Sequence, residues 1–224
     1  MTKRTLLARL SIGAALVLSA EVAAAQITFT GFIEPATLAS FCQEETHFLT
    51  CTGPSPGFPS GVLLKSSAVD LDKFVGKNTK FTAIERGVEC TIYDVIDAVT
   101  PPPATLVVCG NPVPGCPMRF RVGPSGVIGQ YWLFFSTGPA FLPQTMFEGT
   151  ILIASPATLL ASGQTFGPTA AVDVTVPPNV SLTGMSFWFQ GARQDIGPVG
   201  PIQLTNAVCL TVLGPSPPCF LPDC

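Results

Sequence analysis

The second half of the chain alternates apolar and polar residues over several short segments. In M-R-F-R-V, residues 118–122, the three apolar side chains share one side and the two arginines share the other. Segments 169–176 and 202–213 alternate in the same way, with aliphatic residues opposite aspartate, threonine and glutamine. A period of two is that of a β-strand with one buried face. These segments therefore predict strands of an antiparallel sheet.

Glycine and proline separate these predicted strands. Turn sequences rich in both residues occur at 123–126, 137–139, 177–179 and 197–201. Short alternating strands between such turns are typical of a β-sandwich. One stretch, S-P-A-T-L-L-A-S at 155–162, predicts a helix of at most two turns, because Ser155 can cap it and Pro156 suits its first position.

The first half has a denser series of strand-like segments, at 27–33, 47–52, 62–71, 74–84 and 88–99. So many short strands in so few residues suit a small closed barrel. Proline-rich stretches at 100–104 and 111–115 bracket one more strand, T-L-V-V-C, and mark the seam between two domains.

Two spans resemble known modules. V-D-L-D-K-F-V-G-K-N-T-K-F-T-A-I and the following G-V-E-C-T-I-Y-D-V-I-D-A-V, from Val69 to Val99, resemble the core of OB-like small barrels of bacterial exported proteins. L-T-G-M-S-F-W-F-Q-G and the later I-Q-L-T-N-A-V-C-L-T-V resemble the end of an uncharacterised β-sandwich module of secreted bacterial proteins. There the pattern L-x-G-x-x-x-x-x-Q…L-T-N-A ends the domain. This resemblance implies secretion and a sandwich, and it carries over no catalytic residue.

The sequence thus predicts an all-β protein, a small OB-like barrel followed by an antiparallel β-sandwich. We divide the chain into a signal peptide at 1–25, the barrel at 26–110, a linker at 111–115, the sandwich at 116–214 and a disulfide-tied tail at 215–224.

The first 25 residues have the pattern of a secretory signal peptide. Basic residues precede an apolar run from Leu10 to Ala20, and three alanines ending at Ala25 form a small-residue cleavage site before Gln26. The apolar run is too short for a transmembrane anchor and Glu21 interrupts its end. No cysteine adjoins the cleavage site, which argues against a lipid anchor. We expect cleavage after Ala25 and a secreted or extracytoplasmic product without a transmembrane anchor.

Eight cysteines follow the predicted cleavage site, an even number in a chain directed to an oxidising compartment. Four disulfides are the expected outcome, with no free thiol. A zinc site is the alternative, but the chain has no C-x-x-C pair and one histidine. Two pairings are predicted, Cys219 with Cys224 and Cys116 with Cys209, and the connectivity is otherwise open. The disulfide candidates are Cys42, Cys51, Cys90, Cys109, Cys116, Cys209, Cys219 and Cys224.

Charged residues are scarce, at 11% of the chain, and the net charge is −3. Such a chain has no overall positive electrostatic potential that would attract nucleic acid or an anionic membrane. Four lysines between 65 and 80 lie near aromatic residues, which is the one hint of nucleic-acid binding. Aspartates and glutamates interleave with these lysines, so we expect a barrel face of mixed charge and no nucleic-acid partner.

The residues that catalysis requires are poorly represented. The one histidine, His47, lies in a predicted strand, and no G-x-S-x-G occurs. Glu148 with Asp173 or Asp195 could supply the two carboxylates of a glycosidase, but alternation favours solvated positions for them. No phosphate-binding glycine loop is present. We expect no catalytic residues, no cofactor and no metal.

The two tryptophans lie in the aromatic stretches Q-Y-W-L-F-F-S and M-S-F-W-F-Q. Strand alternation puts Trp132 and Trp188 on the face opposite Phe187 and Phe189, which we expect to pack inside the sandwich. The tryptophan face is then an open platform for sugars or a face covered by the barrel or by the short helix near Leu159. Large aromatic residues are usually buried, which favours a covered face.

These observations predict a secreted structural or binding protein of the bacterial cell envelope or extracellular matrix, without catalysis. Its expected partners are a second copy, other envelope or matrix proteins, or glycans. A carbohydrate-binding module is the main alternative, and an extracellular hydrolase is the next.

Overall fold

The computed structural model describes residues 25–36, 42, 44–51, 59–87, 90–123, 128–195, 200–215 and 218–219. Within these residues the chain forms fourteen strands and two single-turn helices, at Leu71–Phe74 and Val180–Leu182. The protein is all-β, as the alternating patterns predicted. The predicted signal peptide, up to residue 24, lies outside the described residues. No helix of the described part is long and apolar enough to cross a membrane.

The first five strands form a closed barrel, in the order β1, β2, β3, β5, β4 and back to β1. The pair β3 and β5 is parallel and the other pairs are antiparallel. Alternation explains the inward face, since Phe81 and Ala83 of β4 are fully buried while Lys80 and Thr82 are only partly so. The strands are β1 (Gln26–Pro35), β2 (His47–Thr50), β3 (Pro59–Lys65), β4 (Thr79–Arg86) and β5 (Ile92–Val99). The likeness to OB-like barrels stays a prediction.

The remaining strands form a sandwich of two sheets and a separate hairpin. A four-stranded sheet has the order β11, β8, β13, β14, a three-stranded sheet has the order β12, β7, β6, and β9 pairs with β10. All these pairs are antiparallel. The strands are β6 (Thr105–Cys109), β7 (Pro117–Gly123), β8 (Gly129–Ser136), β9 (Pro139–Pro143), β10 (Thr150–Ile153), β11 (Thr158–Thr165), β12 (Ala170–Thr175), β13 (Ser186–Asp195) and β14 (Gln203–Thr211).

Two expectations about strand assignment are corrected. The strand T-L-V-V-C, which the sequence places in the first domain, is β6 and pairs with β7 of the sandwich, because its apolar side completes the core formed by Phe120 and Val122. The predicted helix at 155–162 is not formed. Residues 158–165 are instead β11, whose backbone pairs with β8 along its length. Tertiary pairing with a neighbouring strand outweighs the weak local helix signal there.

Three disulfides join described cysteines, Cys42 with Cys90, Cys51 with Cys209, and Cys116 with Cys219. Cys109 is also disulfide-bonded, and none of the described cysteines is free. Both predicted pairings are wrong, because Cys219 reaches Cys116 at the start of β7 and Cys209 bonds to Cys51 after β2. Spacing along the chain could not reveal these partners. Disulfides persist in oxidising compartments, so the bridges indicate an extracytoplasmic protein.

Strand β14 lies where the barrel and the sandwich meet. Its residues from Leu204 to Leu210 are all buried. The inward side, with Val208 and Leu210, packs in the sandwich core. The outward side, with Ala207 and Cys209, belongs to the same core cluster as the barrel residues Phe29 and Phe81. The barrel thus covers a side of β14 that alternation alone would assign to solvent.

Candidate functional site

Both tryptophans lie on the outer face of the four-stranded sheet, as the alternation predicted. Leu133 and Phe189, one position away from them on β8 and β13, face the inner sandwich core. Trp188 is 9% exposed and is part of the core cluster shared with the barrel. Trp132 is half-buried and lines a cavity of about 270 Å³ between the sheet and β10. The two rings therefore do not form an open platform, since Trp188 is used in the contact between the domains.

The side-chain amide of Gln190 connects the β9–β10 hairpin to this outer face through hydrogen bonds. Its Oε1 accepts a hydrogen bond from Leu152 N at 2.9 Å. Its Nε2 donates to the carbonyl oxygens of Thr150 and Thr205, both at 2.9 Å. Gln190 is only 3% exposed. One side chain thus satisfies backbone groups of β10 and β14, which would otherwise lack partners at this junction.

Next to Gln190, Gly191 of β13 is hydrogen-bonded to the side chain of Thr205 in β14. Thr205 Oγ1 accepts a hydrogen bond from Gly191 N at 2.9 Å and donates to the carbonyl of Asn206 at 2.8 Å. A Cβ atom on Gly191 would lie 3.2 Å from side-chain carbons of both Thr205 and Val122. Glycine therefore allows the two strands and the opposite sheet to approach closely here.

Asn206 joins three parts of the molecule and is fully buried. Its Nδ2 donates to the carbonyl of Leu106 at 3.1 Å, and its Oδ1 accepts from the Leu106 N–H at 2.9 Å. The same Oδ1 accepts from Nδ2 of Asn78, before β4 of the barrel, at 2.9 Å. Through one amide, β14 is therefore bonded to the edge of the other sheet and to the barrel.

These contacts give a structural role to the L-x-G…Q…L-T-N-A pattern near the end of the sandwich domain. Gln190 is the glutamine of the L-x-G…Q pattern, and Thr205 and Asn206 are the T-N of L-T-N-A. None of the candidate sites predicted from the sequence includes these three residues. The signal was present, since uncharged polar residues in otherwise apolar strands are usually buried only when hydrogen-bonded.

The three carboxylates that could act in a glycosidase each form an ion pair with a different basic side chain. Glu148 pairs with Lys80 of β4 and accepts a hydrogen bond from Gln203 Nε2 at 3.3 Å. Asp173 accepts two bonds from Arg119, at 2.7 and 2.9 Å. Asp195 pairs with the buried Arg193. Each carboxylate is engaged in a separate ion pair, an arrangement that stabilises structure and does not resemble an acid and base facing one substrate.

The Lys80–Glu148 pair crosses between the domains and makes the protein sensitive to acid. The hydrogen bond from Lys80 lowers the pKa of Glu148 below its ordinary value of 4.5. A carboxyl with a lowered pKa in the folded state contributes stability above its unfolded pKa and loses it as the pH falls. We therefore expect the free energy of unfolding to fall on acidification below about pH 4.5.

Denaturant unfolding between pH 6 and pH 3 would measure this effect, and Glu148→Gln should flatten the acid limb of the profile. Asp173→Asn is the matched control, because Arg119 also lowers the pKa of Asp173 but that pair is solvent-exposed. Exposed pairs contribute little to stability. An acid limb that is as steep in the Glu148→Gln protein as in the unchanged protein would contradict the assignment.

His47 is held in a structural contact. It is 5% exposed, its Nδ1 lies 2.9 Å from Thr46 Oγ1 and its Nε2 lies 3.2 Å from Asp72 Oδ1. Asp72 belongs to the single-turn helix at Leu71–Phe74, so this contact ties that helix to β2. Within the described residues, the ring nitrogens contact Thr46 and Asp72, which are both structural partners.

Three of the four lysines between 65 and 80 have carboxylate partners. Lys65 pairs with Glu44 at 2.5 Å and Lys73 with Asp70 at 3.3 Å, while Lys80 pairs with Glu148. These pairs neutralise charge that a nucleic-acid backbone would need. Among the described residues, no group of three or more histidine, cysteine, aspartate or glutamate side chains is arranged to hold a metal ion.

A second cavity lies between the two sheets of the sandwich and has a volume of about 350 Å³. Phe135, Phe187 and Phe189 of the larger sheet form one wall, and Met118 and Phe120 of β7 form part of the opposite wall. Among the described residues, Thr175 is the one polar residue in the lining. This apolar space is partly open to solvent, and it was not anticipated from the sequence.

Comparison with known proteins gives no relative on which to base a function. No protein-family model matches the chain, and no curated protein matches it.

Proposed function

We propose that this chain is a secreted structural or binding protein of a bacterial envelope or extracellular matrix, without catalytic activity. The signal-peptide pattern, with cleavage after Ala25, supports export. The disulfides support residence in an oxidising space. The buried amides and the carboxylates considered for catalysis are engaged in structural contacts, which supports a role without chemistry.

The observation that carries a binding role is the neutral, partly apolar surface of the sandwich domain. Its acidic residues are neutralised in ion pairs, as described for Glu148, Asp173 and Asp195. Met146 is 82% exposed and Phe166 is 78% exposed. A surface of low charge favours association with a partner where exposed large apolar side chains lie together in one patch. A second copy or a neighbouring matrix protein would cover such side chains.

The test is retention of the purified protein on envelope and extracellular-matrix fractions of the organism that produces it. Retention should be strong for the unchanged protein and weaker for the Met146→Ser/Phe166→Ser double variant. Val99→Ser is the matched control, since Val99 is 49% exposed but lies on the barrel. Absence of retention on every fraction, or turnover of a matrix polymer by the purified protein, would refute the proposal.

The carbohydrate-binding alternative has less support. Two aromatic rings exposed side by side would favour it, but Trp188 is buried in the domain contact. Retention on purified polysaccharide that is lost in Trp132→Ala, with the melting temperature unchanged, would restore it.

A further inference from the structure

The cavity between the two sheets has the properties of a ligand site. Its volume of about 350 Å³ falls in the range of small-molecule pockets, which begins at roughly 300 Å³. It is partly open to solvent, and its lining includes Pro177 and Leu182 of the single-turn helix Val180–Leu182, at the end of the sandwich where we place its mouth. It reaches inward to Phe120 and Leu210, which are at most 2% exposed.

The chemistry of the lining restricts what can enter. In the part of the chain that the structure describes, no charged side chain lines the cavity, and Thr175 is the one polar residue among aliphatic and aromatic neighbours. A sugar or a peptide segment would bury hydroxyl, N–H or C=O groups that find almost no partner there, which is costly. An alkyl chain has no such groups and gains from leaving water.

The mouth of the cavity continues this apolar character onto the surface. Leu182 and Val212 line the cavity, and Met185 is hydrogen-bonded through its backbone to both of them. Met185 is 43% exposed, Val180 is 67% exposed and Leu213 is 37% exposed. An apolar rim of this kind lets a chain pass from a micelle or membrane into the cavity while a polar head remains in water.

We propose that the sandwich binds one unbranched acyl chain of a single-chain amphiphile, with its tail between the sheets and its head at the mouth. The cavity is too small for the two chains of a diacyl lipid, and its described lining offers no charged partner for a buried head group. This site is separate from the proposed retention on matrix partners, which concerns Met146 and Phe166 on the outer surface.

The test uses the purified full chain and the fluorescent fatty acid cis-parinaric acid. Binding should be saturable, displaced by dodecanoate and not displaced by butyrate, whose tail is too short to fill the cavity. Dodecanoate should also raise the melting temperature of the unchanged protein, because a ligand stabilises the state that binds it. Absence of saturable binding, absence of this shift, or binding only to phospholipid vesicles would overturn the proposal.

Two substitutions that fill the cavity locate the site. Leu160→Trp and Val174→Phe enlarge lining residues on opposite sheets and should each weaken parinarate binding at least about tenfold. Leu159→Trp is the matched control, since Leu159 is 50% exposed on the neighbouring position of β11, and its affinity should stay unchanged. Melting temperatures show which variants fold. Unchanged binding in a folded cavity-filling variant would place the ligand elsewhere and contradict the proposed site. Retention on matrix fractions is measured in a separate experiment.

Discussion

The Cys51→Ala/Cys209→Ala variant should have a free energy of unfolding about 2–5 kcal/mol lower than the unchanged protein. This bridge spans 158 residues and joins the end of β2 in the barrel to β14 in the sandwich. Both cysteines are buried in the core cluster that the two domains share. Its removal restores conformational freedom to most of the unfolded chain and leaves small voids at the domain contact.

Chemical denaturation of the oxidised variant, monitored by tryptophan fluorescence, measures this loss. Trp188 reports directly on the domain contact because it lies in the same cluster as the bridge. The Cys42→Ala/Cys90→Ala variant is the control, since that bridge joins two segments of the first half. It should lower stability without making Trp188 more accessible to a soluble quencher under native conditions. A Cys51→Ala/Cys209→Ala protein within 1 kcal/mol of the unchanged protein would contradict the prediction.

Asn206→Leu should lower the free energy of unfolding by about 2–4 kcal/mol, although leucine has a similar size. The substitution leaves the N–H and C=O of Leu106 without the partners that Asn206 supplies, and it removes the acceptor for Asn78. The Leu106 groups are buried, so water cannot replace their lost hydrogen bonds without opening the junction. Unsatisfied buried groups each cost about 1–3 kcal/mol.

Denaturant unfolding gives the size of this effect, and hydrogen exchange gives its location. The Leu106 amide should exchange faster in Asn206→Leu while amides of the barrel core keep their protection. Asn179→Leu is the matched control, because Asn179 is exposed and its side chain accepts one bond from Ser181 N. It should cost about 1 kcal/mol or less. An equal loss of unfolding free energy in the two variants would contradict the role of the Asn206 amide in joining β14 to β6 and to the barrel.

Local pattern was sufficient for the features that depend on one strand alone. Alternation in 118–122 and 169–176 correctly predicts strands β7 and β12, with the apolar side of β7 buried and the valines of β12 partly buried. It also placed the phenylalanines of β13 inside and both tryptophans outside. Side chains on a strand alternate whatever the partner is, so the sequence carries this information within a few residues.

Local pattern was misleading where a distant partner decided the outcome. Residues 155–162 combine a capping serine, a proline and helix-forming residues, yet pairing with β8 makes Thr158–Thr165 a strand. The strand T-L-V-V-C follows the barrel in sequence, but its apolar side fits the sandwich. Neither partner can be identified from spacing, because strand pairing is set by which apolar faces meet in the folded chain.

The sequence by itself determined the all-β class, the alternation of faces and, through its cysteines, the oxidising compartment. Only the tertiary structure decided which cysteines pair, why Gln190 and Asn206 are buried, and that a cavity lies between the sheets. Asn206 meets Leu106 across 100 residues and Cys51 meets Cys209 across 158. Such contacts, and the space that packing leaves between two sheets, depend on the arrangement of whole elements, which no local pattern encodes.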